Sequence, residues 1–172
     1  MKTRFIFQLI MISLIFSACN LNPESNYRPE IRFVQNPIAN KTDTLNIYYT
    51  DNSGVFRLDT IQVGDTISFN IYVTGYSNHL KAFYITESTD SVSKIILPST
   101  SSMDSIFLAS SNYKEGKFLM KGTSTALYFP FQYIARKVSN EAKITFNVVS
   151  DANFEYNQNS FVLKTPIVAK HL

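Results

Sequence analysis

From Glu30 onward apolar and polar residues alternate with a period of two, most clearly between Thr66 and Thr74. There Ile67, Phe69, Ile71 and Val73 interleave with Ser68, Asn70, Tyr72 and Thr74. Successive side chains of a strand point to opposite faces, so this run predicts a strand with one dry and one wet side. The pattern recurs at Phe83 and Ile85, at Leu127, Phe129, Phe131 and Tyr133, at Ile144, Phe146 and Val148, and at Phe161 and Leu163. Turn-forming clusters separate these segments: Asp51 to Gly54, Val63 to Asp65, Gly75 to Asn78, Lys114 to Gly116, Ser139-Asn140 and Asn157 to Asn159. Short strands rich in β-branched and aromatic residues, each with a dry face to cover, predict an all-β, antiparallel sandwich.

Pro130 and Pro166 interrupt two of the runs. Proline cannot donate to a ladder, so both are expected at edges or bulges. A closed barrel has no edges, which favours the sandwich over a lipocalin-like barrel; that alternative would carry an apolar ligand in its mouth.

The start of the chain has a different character. Lys2 and Arg4 precede a nearly unbroken apolar stretch from Phe5 to Phe16, no acid occurs before Glu24, and Ser17 and Ala18 lead to Cys19. This is the layout of a secretory leader. About a dozen apolar residues at roughly 1.5 Å each are too short to span a hydrocarbon core of about 30 Å. The chain therefore divides into a signal peptide over 1–18, a flexible tether over 19–29, rich in Asn and Pro, and a single β-domain over 30–172.

The run Phe16-Ser17-Ala18-Cys19 resembles the bacterial lipoprotein box, with Phe16 standing where a branched aliphatic residue is usual. The resemblance implies cleavage before Cys19 and acylation of its thiol, palmitate included. The implied location is the bacterial cell envelope, anchored by lipid at the outer membrane, with the leaflet left open because only Glu24 is acidic in the tether. An ordinary cleaved leader with a chance cysteine is the competing reading. Cys19 is the only cysteine, so no internal disulfide explains it.

Removing Lys2 and Arg4 with the leader lowers the formal charge from +3 to +1. A nearly neutral body without a Lys/Arg run lacks the footprint of a nucleic-acid binder. The expected partners are the membrane, through the N-terminal lipid, and a glycan or an envelope protein.

Gly64-Asp65-Thr66 leading into a long strand, then Leu80 to Glu87, and the late pair around Phe146 and Leu163 resemble the immunoglobulin-like domains of bacterial surface lipoproteins. The likeness covers Asp59 to Val168. It departs from the pattern in having no inter-sheet disulfide, no Trp on the third strand and no Tyr leading into the strand around Phe146. Phe83 is expected in the place of the missing Trp. Such domains host adhesion, glycan handling and plain spacing alike, so the fold does not supply the function.

Catalytic chemistry finds little to work with. His79 and His171 are the only histidines, too few for a His-ligated zinc enzyme, and no Ser lies in a Gly-x-Ser-x-Gly elbow. No cofactor is called for, and the chain reads as non-enzymatic. His79, beside Asn78, reads as a solvated turn residue. Asp151, Asn153 and Glu155 alternate in a polar loop and could partly enclose calcium, although the glycine of a tight metal loop is missing; a solvated turn is the plainer reading.

Asp, a hydroxyl residue and an aliphatic recur at Asp43-Thr44-Leu45, Asp59-Thr60-Ile61, Asp65-Thr66-Ile67, Asp90-Ser91-Val92 and Asp104-Ser105-Ile106. The triplet resembles the O-glycosylation acceptor of exported proteins in a group of gut and oral bacteria, which implies attachment at Thr44, Thr60, Thr66, Ser91 and Ser105. It equally describes Asp ending a turn, the hydroxyl opening a strand and the aliphatic entering a core.

If odd-numbered residues face inward, Tyr72, Tyr84 and Tyr128 point outward and offer amphipathic surfaces for sugar rings or partner side chains. Tyr is also an ordinary strand former on a wet face. Tyr48 and Tyr49, being consecutive, cannot both enter the core. A binding or adhesion module expects the three tyrosines to cluster on one face. A structural or assembly subunit of a surface complex instead expects a long unprotected edge strand near Ile31 or Ala169.

Overall fold

The alternation of Ile67, Phe69, Ile71 and Val73 forms one strand, Thr66–Thr74, and buries all four side chains. The computed structural model describes residues 27–50, 54–88, 91–152 and 155–170. In chain order the strands are β1 Glu30–Phe33, β2 Ile38–Ala39, β3 Asp43–Thr44, β4 Ile47–Tyr49, β5 Val55–Leu58, β6 Ile61–Gln62 and β7 Thr66–Thr74. There follow β8 Leu80–Glu87, β9 Ser93–Ile96, β10 Lys117–Leu119, β11 Ala126–Ala135, β12 Lys143–Ser150, β13 Gln158–Lys164 and β14 Ile167–Val168. Single helical turns at Thr100–Met103 and Tyr113–Glu115 lie between β9 and β10.

The strands build an all-β fold of two main sheets in contact. One runs β3-β2-β7-β11-β9, with β1 also on β7; the other runs β10-β8-β12-β13-β5-β4. β1 pairs with Ile71 to Thr74 and β2 with Ile67 and Ser68, so both lie end to end along one edge of β7. The expectation of purely antiparallel pairing is corrected at two places: β13 pairs with β5, and β14 with β6, in parallel. These partners are far apart in sequence. No hairpin turn constrains their direction, which is set by the end of the sheet at which the chain arrives.

Phenylalanines fill the space between the sheets. Phe33 meets Phe146 and Phe161 across the core, Phe129 meets Phe83 and Phe118, and Phe131 meets Phe146, with ring centroids 5.1–6.2 Å apart. Phe83, Phe118 and Phe146 are wholly buried. The barrel alternative needed a closed sheet around a cavity; among the described residues both main sheets are open and the interior is solid aromatic packing.

Pro130 sits inside β11 rather than at its end, opposite Asn70. The Asn70 carbonyl accepts from the Val34 N–H on the far side of β7, so Asn70 and Pro130 are a pair without mutual ladder bonds. The Pro130 nitrogen then faces the flank that β9 leaves free, since β9 pairs only with Gln132 to Ala135. The missing donor costs no ladder bond there. Pro166 lies in the break between β13 and β14.

The strand holding Ile31 is β1, four residues long, paired with β7 and packed on β12 and β13; Ala169 follows the two-residue β14. Neither position therefore holds the long edge expected of an assembly subunit. Short edge strands are a common protection against stray pairing. The tether assigned to 19–29 ends sooner than expected: Pro29 is buried and its carbonyl accepts from Asn159 Nδ2 at 2.9 Å. Cys19 and the leader lie outside the described residues.

Candidate functional site

Tyr72 on β7 and Tyr128 on β11 are direct cross-strand partners, and Arg32 on β1 is the partner of Tyr72 on its other side. Their neighbours Phe33, Ile71, Val73, Leu127 and Phe129 point inward, so Arg32, Tyr72 and Tyr128 form one row on the outer face of the first sheet. The Arg32 guanidinium carbon lies 4.9 Å from the centroid of the Tyr72 ring. Such a cation–π contact at an exposed site contributes about 0.5–1 kcal/mol. Tyr128 is 53% exposed.

Glu30 occupies the next row, and the Tyr76 hydroxyl donates to its Oε2 at 3.1 Å. Partial burial and this bond push the Tyr76 phenol up from its usual value, keeping it a donor. Tyr76 adopts φ 58, which turns its ring back toward Tyr27; the two centroids are 5.4 Å apart. Along the strands in the other direction, Ser68, Asn70, Ile96, Pro130 and Gln132 line a shallow groove of about 360 Å³. The face thus carries tyrosine rings with Glu30 and Arg32 beside them, the exposed Lys94 farther along on β9, and amide and hydroxyl groups that both donate and accept.

Tyr84 does not join the patch, so the clustering of Tyr72, Tyr84 and Tyr128 on one face that a binding module was expected to show is not met; only Tyr72 and Tyr128 are brought together. Tyr84 lies on β8 in the second sheet, opposite Lys117 and Asn147. Alternation places a side chain inside or outside, but it does not say which of two sheets the strand enters. Tyr48 and Tyr49 are both exposed, at 52% and 56%.

Of the calcium candidates Asp151, Asn153 and Glu155, Asp151 is engaged by a histidine. Both carboxylate oxygens of Asp151 are taken by His79, Oδ1 by its backbone N–H at 2.8 Å and Oδ2 by its ring Nδ1 at 2.9 Å. Asn153 lies outside the described residues, and no cluster of three metal-ligating side chains occurs among those described. His79, expected as a solvated turn residue, is instead half-buried against Asp151.

Of the five hydroxyls in the Asp-hydroxyl-aliphatic triplets, Thr44, Thr60, Ser91 and Ser105 are exposed and Thr66 is half-buried. Asp59 and Asp65 act as turn formers: Asp59 Oδ2 accepts from the Asn46 N–H at 2.7 Å, and Asp65 Oδ2 from the Gln62 N–H at 2.8 Å. The triplets serve the fold at those two positions. Asp90 lies outside the described residues.

Arg32, Glu30, Tyr27 and Tyr76 escaped the sequence reading. The alternation of Glu30 and Arg32 with Ile31 and Phe33 carried a signal for β1; nothing in spacing connects Tyr76 with Glu30. No protein-family model matches the chain, and no curated protein matches it.

Proposed function

We propose that this chain is a lipoprotein of the bacterial envelope, acylated at Cys19, whose immunoglobulin-like sandwich is a non-enzymatic module binding a neutral saccharide chain. The observation that carries the binding reading is the row Arg32-Tyr72-Tyr128, continued by Glu30, Tyr76 and Tyr27 on one side and by Asn70 and Gln132 on the other. Tyrosine rings are apolar across the face and polar at the hydroxyl, which suits the C–H and O–H surfaces of a pyranose. The amides of Asn70 and Gln132 on one flank donate and accept, as sugar hydroxyls require. Glu30 and Arg32 offset each other beside the tyrosines, and Lys94 lies farther along the face on β9, so the tyrosine end favours an uncharged ligand.

Affinity electrophoresis of the full-length protein against a panel of neutral polysaccharides tests the binding reading. Tyr72→Ala and Tyr128→Ala should each weaken retention by about tenfold, while Tyr84→Ala leaves it unchanged. Retention unaffected by the first two variants, or no retention by any neutral polymer, rejects it. Mass spectrometry of the mature N-terminus tests the anchor: an unmodified Cys19 removes it.

A further inference from the structure

On the outer face of the second sheet, four strands bring Lys143, Lys164, Arg57 and Tyr48 into one transverse row. Lys143 pairs with Lys164, Lys164 with Arg57, and Arg57 with Tyr48. All four side chains are exposed. Adjacent strands lie about 4.8 Å apart, so the three cations stand within roughly 10 Å of one another. Like charges directly opposite on a sheet repel and cost stability. Among the described residues none of the three makes an ion pair. A body of nearly neutral charge has thus concentrated cations from three separate segments where they do the fold no service.

We infer that Lys143, Lys164 and Arg57 form a binding site for an acidic, carboxylate-bearing polysaccharide. The charges lie in a line whose step is close to the length of one pyranose unit, matching a polymer with a carboxylate on successive sugars. Arg57 supplies a planar fork for a carboxylate, and the lysines supply mobile point charges. Tyr48 closes the row with an exposed ring beside a hollow of about 330 Å³ lined also by Arg57, Leu58, Asp59 and Thr60. Glu141, two residues before Lys143, and Asp59, two after Arg57, flank the line with negative charge. That arrangement suits a ligand charged along one track and repels a dense phosphate backbone. The row also lies at the far end of β13 from Asn159, which holds Pro29. This site is separate from the tyrosine face and carries a different ligand charge.

Affinity electrophoresis of the full-length protein in gels containing polygalacturonate, dextran or single-stranded DNA, with co-sedimentation on phosphatidylglycerol vesicles, tests the inference. Polygalacturonate should retard the protein at low salt and release it above about 0.5 M, where charges are screened within a few ångströms. The variant Arg57→Gln/Lys143→Gln/Lys164→Gln should lose about tenfold or more in affinity for polygalacturonate while keeping or raising its melting temperature, because the repulsion is relieved. Lys164→Gln alone should give a smaller loss in the same direction, which preserves the test if the triple variant does not fold. Tyr72→Ala should leave polygalacturonate binding unchanged, separating this site from the neutral-saccharide face. Equal binding by the triple variant, no binding of polygalacturonate, or binding confined to DNA or vesicles overturns the inference.

Discussion

His79 and Asp151 hold each other from both chains of atoms: the His79 backbone and ring donate to the Asp151 carboxylate, and the Asp151 N–H donates to the His79 carbonyl at 2.9 Å. The clasp ties the turn before β8 to the end of β12, just past the register shift at Val149 and Ser150. Burial raises the Asp151 pKa, but the bonds from His79, with the His79 and Lys81 charges, outweigh it and leave the carboxyl below its usual value.

A carboxyl depressed in the folded state contributes stability that is full above its unfolded pKa of about 3.9 and lost as pH falls through the folded value. Asp151→Asn should therefore cost on the order of 1–3 kcal/mol at neutral pH, the loss expected for a hydrogen bond to a charged group. The deficit relative to the parent should shrink as urea-unfolding measurements descend below about pH 4. A deficit independent of pH would assign the clasp to its neutral hydrogen bonds alone.

Gly116 ends the short helical turn Tyr113–Glu115 at φ 63, and its N–H donates to the Tyr113 carbonyl at 3.2 Å. A Cβ there would run into the carbonyl of Ile85, whereas one at Gly122, φ 77, would meet nothing within 4 Å. Gly122→Ala should cost about 1–2 kcal/mol from backbone strain alone. Gly116→Ala should cost clearly more, as the lower denaturant midpoint would record. Equal midpoints would mean that β8 and β10 can part without loss.

How much was legible depends on how far each feature reaches along the chain. The strand over Thr66 to Thr74 and the buried faces of Leu127 to Tyr133 and Ile144 to Val148 follow from alternation, a local signal. The hairpin at Gly54, φ 76, joining β4 and β5 was readable for the same reason. β2 and β3 are too short to show a period, and the parallel pairing of Val162 with Val55 spans most of the chain. Tyr72 and Tyr128 were readable as outward residues, yet their adjacency depends on which strands are neighbours. Tyr84 misled because outward on one sheet is opposite to outward on the other.

Exposure ranks the five candidate glycosylation sites. Peptide mapping by mass spectrometry should find any attached glycan on Thr44, Thr60, Ser91 or Ser105 before Thr66, which is half-buried at the start of β7. A chain without modification at all five would leave the triplets as turn-to-strand junctions.

Phe146 is wholly buried on β12 and touches both sheets, with ring centroids 4.7 Å from Phe161, 6.0 Å from Phe131 and 6.2 Å from Phe33. Removing it leaves a void bounded by three large rings on two sheets, which cannot all collapse inward without breaking ladder pairings. Phe146→Ala should therefore cost about 3–5 kcal/mol in urea unfolding with an unchanged slope. Phe56→Ala, on the half-buried margin of the same aromatic group, should cost less because water already reaches its site. A loss of under about 1 kcal/mol for Phe146→Ala would mean that the aromatic layer is not what holds the sheets together.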